Sequence, residues 1–271
     1  MHPDIFKIGP LEIHSYGLML ALSFLLGIFL AMHRAKKANI DQNNIMDLAV
    51  IIVISAILGA RFLYVIAHLS EFKGHWLDVI NPFQGDGSVG IAGLTMLGGF
   101  LAALIFGMLY LWIKKLPVLK IADIVAPSVG LGIFVTRIGC FLNGCCYGVP
   151  TDGPFGVIFP ANSAAGYHFP EVAIHPAQLY SSFYGLVILV TLLVIERWKK
   201  FDGFLIYSFM ILYGISRFIV DMFRYYEDSM VLFAFGNSSI SVNQGISILM
   251  ILTGAGLIAY NLIKRGAETQ N

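Results

Sequence analysis

Apolar residues run along this chain in seven long stretches that short polar segments separate. The stretches cover residues 15–32, 45–67, 91–113, 121–141, 178–195, 203–222 and 244–263. Each supplies close to the ~20 apolar positions that a helix needs to cross a hydrocarbon layer about 30 Å thick. The pattern therefore predicts an all-α, polytopic membrane protein with seven transmembrane helices.

Composition agrees with this prediction. Hydrophobic residues make up 58% of the 271 positions and charged residues 12%, whereas about a quarter of an ordinary globular sequence is charged. A net charge of +1 without a basic tract gives no indication of a nucleic-acid partner. The first apolar stretch has no basic segment before it and no small-residue cleavage site after it, so we expect a retained helix rather than a signal peptide.

Lysine and arginine are distributed unevenly between the two sides of the predicted helices. They follow the first, third, fifth and seventh stretches, at Arg34, Lys36, Lys37, Lys114, Lys115, Lys120, Arg197, Lys199, Lys200, Lys264 and Arg265. The positive-inside rule then predicts an external N-terminus and a cytoplasmic C-terminus. We treat residues 1–271 as one membrane domain. The segment at about 142–177, rich in Gly, Pro and Asn, is expected to form an outer cap of turns or short strands.

Three arginines lie inside the predicted helices near their outer ends, namely Arg61, Arg137 and Arg217. An arginine within a membrane span costs at least ~2.5 kcal/mol on insertion scales, so its presence indicates a function and a partner. The spacing of Arg217, Asp221 and Arg224 predicts one carboxylate between two guanidiniums on a single helix face. Arg224, at the end of its span, fits interfacial snorkelling equally well. The surplus of positive charge favours an external phosphate, which arginine binds with two parallel hydrogen bonds.

Other polar residues occur at the same predicted depth. His14 and Tyr16 begin the first span, and His175, Gln178 and Tyr180 begin the fifth. Taken alone, the tyrosines are typical of an interfacial belt and the histidines of turns. Their coincidence with the arginines indicates a shared site. A separate glycine-rich stretch ends in Gly98 and Gly99, which either let helices pack closely or let a lipid headgroup approach the backbone, and sequence does not separate the two.

The segment TRIGCFLNGCCYG contains all three cysteines of the chain, Cys140, Cys145 and Cys146. Three are too few for a disulfide framework, and adjacent cysteines rarely form a bridge. A zinc site completed by His168 or His175 does not fit the paired C-x2-4-C spacing typical of structural zinc. We therefore expect no metal and no cofactor.

The chain contains, in this order, the segments HSYGLM, GARFLYV, GLTMLGGF, TRIGCFLNGCCYG, HPAQLY and RFIVDMFR. This series resembles the prolipoprotein diacylglyceryl transferases of bacterial cytoplasmic (inner) membranes, from the first span to the last outer loop. The resemblance implies a seven-helix enzyme with phosphatidylglycerol, preprolipoprotein signal peptides and membrane lipids as partners. Such an enzyme moves the diacylglyceryl group of phosphatidylglycerol onto the lipobox cysteine thiol, forming a thioether and releasing glycerol phosphate. The nucleophile then belongs to the substrate.

The resemblance also implies roles for individual residues. Arg137 and Arg217 are expected to bind the phosphate and stabilise the leaving group. His14 is the first choice for the base, with Tyr16 or solvent as alternatives. The remaining expected substrate contacts are Asn143, Gly148, Arg61, Gly98, Gly99, His175, Gln178, Tyr180, Asp221 and Arg224.

Three positions depart from the pattern of the family. Leu97 stands where one branch has a histidine, and Ser181 replaces a glutamate. Asp221 also replaces a glutamate and keeps the negative charge on a shorter side chain. The first two motivate the alternative of a catalytically inactive family member. A second alternative is a phospholipid-binding transporter. The sequence shows no inverted repeat, which argues against this alternative.

Overall fold

A computed structural model gives the structure of residues 4–8, 11–70, 72, 93–226, 231–235 and 238–268, with side chains for 15–70, 72, 93–226 and 241–267. Seven of its helices are long and apolar enough to cross a membrane, which confirms the all-α prediction. They are α1 (Ser15–Lys37), α2 (Gln42–Ala67), α3 (Met96–Ile113), α4 (Val118–Asn143), α6 (Ala177–Ile195), α7 (Phe204–Asp221) and α8 (Val242–Glu268). A short helix, α5 (Ala164–His168), lies between α4 and α6.

Two small sheets accompany the helices. The strands β1 (Asp4–Ile8) and β2 (Leu11–His14) form a two-stranded sheet just before α1. The antiparallel strands β3 (Val231–Phe235) and β4 (Ser238–Ser241) lie between α7 and α8. A 3-10 turn, Glu196–Trp198, continues α6.

The third apolar stretch begins its helix later than predicted, at Met96 rather than near residue 91. The residue before it, Thr95, has an extended backbone and is hydrogen-bonded to α2 instead. Thr95 donates hydrogen bonds from its amide (3.1 Å) and its hydroxyl (3.0 Å) to the carbonyl oxygen of Ala60. Gly93 adopts a positive φ of 71°, a conformation that favours glycine. These bonds to α2 replace the first helical turn, while residues 91 and 92 lie outside the described part of the chain.

The helices group into two compact units. The first contains Met1–Ile5, His14–Ala31 and Ala122–Asn271, and the second contains Phe6–Ile13 and Met32–Ile121. In the first unit, α6 packs closely on α4 because Gly185 leaves room: a Cβ there would lie 2.6 Å from the amide nitrogen of Phe134. Ser182 donates to the carbonyl of Phe134 at 2.8 Å. Small residues of this kind bring membrane helices into contact where lipid offers no hydrophobic driving force.

The second unit has its own close helix contact, between α2 and α3. A Cβ on Gly59 would lie 2.6 Å from the carbonyl oxygen of Gly98, and a Cβ on Gly99 would lie 3.1 Å from that of Ala56. Gly98 and Gly99 are both buried. Of the two alternatives that the sequence left open for these glycines, helix packing accounts for their position, and a lipid contact stays a prediction.

The N-terminus of α7 is capped by a residue of α4. The buried carboxylate of Asp123 accepts hydrogen bonds from the amides of Gly203 (2.8 Å) and Ile206 (2.9 Å) and pairs with Lys199 Nζ at 3.0 Å. The first amides of a helix have no partner within it. One carboxylate therefore satisfies two of them and fixes α7 against α4.

The cap forms turns and isolated β-bridges, together with the short helix α5, which the sequence did not predict. Ile174 pairs with both Pro150 and Val157, and its side chain packs with Phe159 and Ala165 in a small core. Gly148 is wedged between two backbone segments, since a Cβ there would lie 2.5 Å from the carbonyl oxygens of His175 and Phe223. The glycine therefore lets the loop after α4 pack against two other segments, the one just before α6 and the one just after α7.

Candidate active site

Arg137 and Arg217 line one cavity in the first unit, which we call the arginine cavity. Its water-accessible volume is about 40 Å³, and it is partly open to its surroundings. The side chains come from α4, α6 and α7, and the lining residues are Ile133, Arg137, Ser181, Tyr184, Gly185, Ile188, Tyr213, Ser216, Arg217 and Val220. The close α4–α6 contact thus brings a polar α6 surface beside two guanidiniums from different helices.

Arg217 is held by a small hydrogen-bonded network. Its Nη2 lies 3.5 Å from Asp221 Oδ1, one turn further along α7. Arg217 Nη2 also donates to the hydroxyl of Tyr226 at 2.6 Å, and that hydroxyl donates to Asp221 Oδ1 at 2.5 Å. Ser241, at the end of β4, donates to the other oxygen of Asp221. Both carboxylate oxygens are therefore occupied, and the guanidinium is fixed in direction.

Tyr226 contributes to this network as a neutral hydroxyl. Burial and its hydrogen bond to Asp221 raise the pKa of Tyr226 to about 12, although Arg224 and Arg217 act in the opposite direction. The phenol therefore keeps its proton at physiological pH and donates a hydrogen bond to the carboxylate of Asp221.

The prediction that Arg217, Asp221 and Arg224 share one helix face is confirmed for Arg217 and Asp221. It is wrong for Arg224. The helix ends at Asp221, because the following residues turn to pair with the cap, where Arg224 forms a β-bridge with Gly148. The Arg224 guanidinium packs over the ring of Tyr226, with 5.0 Å to the ring centre. Its Nε is buried and has no hydrogen-bond partner among the described residues.

Arg137 differs from Arg217 in its surroundings. Among the residues whose side chains the structure describes, no carboxylate forms an ion pair with Arg137. Arg217, which lines the same cavity, is paired with Asp221, which does not line it. The cavity therefore carries one compensated and one uncompensated guanidinium, which favours an anion between them.

The three cysteines lie together beside Arg137. Their sulfur atoms are all within 4.8 Å of one another, and none forms a disulfide. Hydrogen bonds from the thiols of Cys140 and Cys145 lower the pKa of Cys146; burial opposes this effect, and Arg224 and Arg137 reinforce it. Spacing along the sequence gave no indication that all three sulfurs would meet.

The start of α6 supports the loop that carries these cysteines. Gln178, only 1% exposed, donates from Nε2 to the carbonyl of Cys145 at 2.8 Å, while its Oε1 has no partner among the described residues. His175 Nδ1 lies 3.1 Å from the hydroxyl of Tyr180. His175 and Tyr180 are thus in contact, while Gln178 binds the loop directly.

The remaining predicted residues of the first unit lie at the same end of its helices. Asn143 is the last residue of α4 and is half-buried. Tyr16 is in the first turn of α1, beside Gly139 of α4, where a Cβ would lie 3.5 Å from the tyrosine Cα. His14 ends β2, and its side chain lies outside the described residues. The base assigned to it stays a prediction.

Arg61 belongs to the second unit, with Gly98 and Gly99. Its Nη1 donates to the carbonyl of Gly93 at 3.4 Å. The guanidinium also lies over the rings of Tyr64 and Phe72, at 5.8 and 5.3 Å from their centres. Contacts of this kind stabilise a cation away from bulk water.

Several residues of the site were missed at the sequence level. Tyr213 and Ser216 precede Arg217 on α7, and Tyr213 is one turn away, so helical spacing could have found it. Tyr226 and Ser241 lie beyond the helix, in segments without a period. Their approach to Asp221 is set by the turn after α7 and the β3–β4 hairpin, which spacing does not reveal.

Comparison with known proteins identifies the family. A profile of the family described as prolipoprotein diacylglyceryl transferase matches residues 3–260. The phosphatidylglycerol–prolipoprotein diacylglyceryl transferase of Clostridium tetani is 33% identical over 94% of this chain and 95% of its own length. The chain belongs to the prolipoprotein diacylglyceryl transferase family. Proteins of the same name from Campylobacter lari and Geobacter sulfurreducens are 33% and 31% identical, over 94% and 93% of this chain and 92% of each relative.

Two of the three departures from the transferase family pattern, Ser181 and Leu97, fall in different environments. Ser181 lines the arginine cavity, and its hydroxyl donates back to the carbonyl of Ala177 at 2.9 Å. Leu97 is 61% exposed at the start of α3 in the second unit. The serine therefore leaves the cavity without a carboxylate on α6, which keeps its net charge more positive.

Proposed function

We propose that this chain transfers the diacylglyceryl group of phosphatidylglycerol to the lipobox cysteine of preprolipoproteins. Membership of the prolipoprotein diacylglyceryl transferase family supports the reaction, and the relatives named for it match almost the whole chain. The observation that carries the site is the arginine cavity, which Arg137 and Arg217 line from two different helices. Two guanidiniums, of which only Arg217 has a carboxylate partner among the described side chains, suit a phosphate diester.

The proposed step forms a carbon–sulfur bond and breaks a carbon–oxygen bond. The substrate sulfur attacks the C3 carbon of the diacylglyceryl group, a C–S bond forms, and the C–O bond to phosphate breaks. The electron pair leaves with glycerol phosphate, so negative charge grows on the phosphate oxygen. Preorganised donors stabilise such charge in a site from which water is excluded, and losing one typically costs about 10²- to 10³-fold in rate.

Arg137 and Arg217 have different parts in this proposal. Arg137, with no carboxylate partner among the described side chains, takes the phosphate charge directly. Arg217 is oriented by Asp221 and Tyr226 and also lines the cavity. The thiol proton must leave the sulfur, and His14 is the proposed acceptor, with Tyr16 or solvent as alternatives.

We further propose that the arginine cavity lies in the outer half of the cytoplasmic membrane. The lysines and arginines of the loops after α1, α3, α6 and α8 support an external N-terminus and a cytoplasmic C-terminus. The C-terminal ends of α4 and α7 then face outward, together with the cap. Substrate contacts at Asn143, Gly148, His175, Gln178 and Tyr180 fit this side.

A labelling experiment tests the function. Radiolabelled palmitate is supplied to bacterial cells depleted of their own transferase and expressing this chain with a reporter prolipoprotein. Labelling of the reporter supports transfer, and a reporter with its lipobox cysteine changed to serine must stay unlabelled. An unlabelled reporter with this chain inserted at normal abundance contradicts the proposal and favours an inactive member or a transporter. Uptake of fluorescent phosphatidylglycerol into proteoliposomes then separates those two.

A further inference from the structure

We propose that Cys140, Cys145 and Cys146, together the thiol cluster, form a binding site for a soft metal ion that accepts sulfur ligands. Their three Sγ atoms lie within 4.8 Å of one another. The cluster is separate from the proposed transfer chemistry, in which the substrate supplies the thiol. The expectation of no metal rested on spacing along the chain, and the folded loop supplies a donor set that spacing did not predict.

The distances fit a metal with little rearrangement. A Zn–S bond of about 2.3 Å places tetrahedral sulfur ligands about 3.8 Å apart, and a planar three-coordinate ion would place them about 4.0 Å apart. The sulfurs here are at most 4.8 Å apart. Each pair therefore has to close by about 1 Å or less, a change within the range of side-chain rotation.

The loop after α4 is built in a way that brings the sulfurs together. Cys140 is the buried member, on the last turn of α4. Cys145 donates its amide to the carbonyl of Cys140 at 3.1 Å, and Gln178 fixes the carbonyl of Cys145 at 2.8 Å. Cys146 has a φ of +59°, which non-glycine residues seldom adopt unless their surroundings impose it. The backbone thus holds the three donors near one point before any ion arrives.

The chemistry of the donors selects the ion. Three thiolates and no carboxylate favour soft ions such as Cu(I), with Zn²⁺ requiring a fourth ligand from water. Each thiol loses its proton to solvent when it ligates, so binding releases up to three protons and strengthens as pH rises. Cys145 and Cys146 are only half-buried, which leaves a path for the ion.

The test uses the purified, reduced, metal-free full chain in detergent, titrated separately with Cd²⁺ and with Cu(I). We expect one equivalent of each ion, thiolate-to-metal absorption in the ultraviolet, and proton release. Any single change among Cys140→Ser, Cys145→Ser and Cys146→Ser should weaken binding at least about 100-fold. His168→Ala, which alters a nearby cap residue outside the cluster, should bind as the wild type does.

Each other result overturns the proposal. Absence of the absorption band shows that the sulfurs do not bind soft ions. Wild-type affinity in the three serine variants places the ion elsewhere, and equal weakening by His168→Ala indicates general disturbance of the cap. Thermal unfolding of every variant confirms that a loss of binding is not a loss of fold; if a serine variant unfolds, the corresponding alanine variant replaces it.

Discussion

The hydroxyl of Tyr226 lies between Arg217 and Asp221, at 2.6 Å from the guanidinium and 2.5 Å from the carboxylate. It therefore links the two ends of an ion pair whose own separation is 3.5 Å. An arginine bound in this way keeps one direction, which matters for a group proposed to stabilise charge in a transition state.

Tyr226→Phe tests this link, since it keeps the ring and removes the hydroxyl. Loss of a hydrogen bond from a neutral hydroxyl to a charged group costs about 1.5–3 kcal/mol, or about 10- to 100-fold in rate if it is made mainly in the transition state. We expect kcat to fall in that range, with an unchanged pH profile because the pKa of Tyr226 is about 12. Tyr225→Phe, in a ring that stacks on Tyr147, is the matched control. Equal kcat in both variants and wild type would contradict a positioning role.

Asp221 is the shared partner of Arg217, Tyr226 and Ser241, so its charge should matter more than its size. Asp221→Asn keeps the shape, removes the charge and leaves Arg217 uncompensated, and we expect a loss of about 10- to 100-fold. Asp221→Glu, the residue commoner in the family pattern, should retain most activity. Transfer to a lipobox peptide is measured at matched protein abundance. Equal rates for Asn, Glu and wild type would show that the carboxylate has no electrostatic part.

Arg137→Ala should abolish measurable transfer while the protein stays inserted. The reason is that Arg137 faces the arginine cavity without a carboxylate partner among the described side chains, and the loss of one such donor costs about 10²- to 10³-fold. Arg137→Lys should rescue poorly, because an ammonium lacks the planar fork that binds phosphate. Lipoprotein maturation by the alanine variant at wild-type abundance would refute the role.

The cysteines should be dispensable for transfer, since the nucleophile is proposed to come from the substrate. The triple variant Cys140→Ser, Cys145→Ser, Cys146→Ser is expected to keep most activity, measured by palmitate labelling. The thiols are packed together and the loop is held by backbone bonds, so serine fits with little change. A folded triple variant without activity would place a thiol in the reaction.

The sequence was sufficient for the parts of this protein that follow a helical period. Seven spans and the pair Arg217–Asp221 were predictable because residues one turn apart share a helix face. Arg224 was misplaced because nothing in the residue pattern marks the end of α7 at Asp221. Tyr226, Ser241 and the meeting of the three sulfurs depend on turns and on pairing between distant segments, and such contacts have no signature in spacing.

The contact between Asp123 and the start of α7 lies at the end of the helices opposite the arginine cavity. It predicts that Asp123 contributes to the stability of the fold. Asp123→Ala removes the acceptor of two amides and the partner of Lys199, so a buried ion pair and a helix cap are lost together. We expect a destabilisation of about 3 kcal/mol, seen as a lower melting temperature in detergent. Asp202→Ala, at a carboxylate that is half exposed and also pairs with Lys199, should cost much less.

The pH dependence of that difference follows from Lys199. Burial lowers its pKa, but the hydrogen bonds and charges of Asp202 and Asp123 outweigh this effect, so the pKa of Lys199 is raised overall. A cation with a raised folded pKa contributes its full stabilisation below the unfolded value of about 10.4 and loses it as pH rises through the folded value. The melting-temperature gap between wild type and Asp123→Ala should therefore be constant near neutral pH and narrow above about pH 10.4. A gap that already narrows near neutral pH would mean that the stabilisation does not come from this pair.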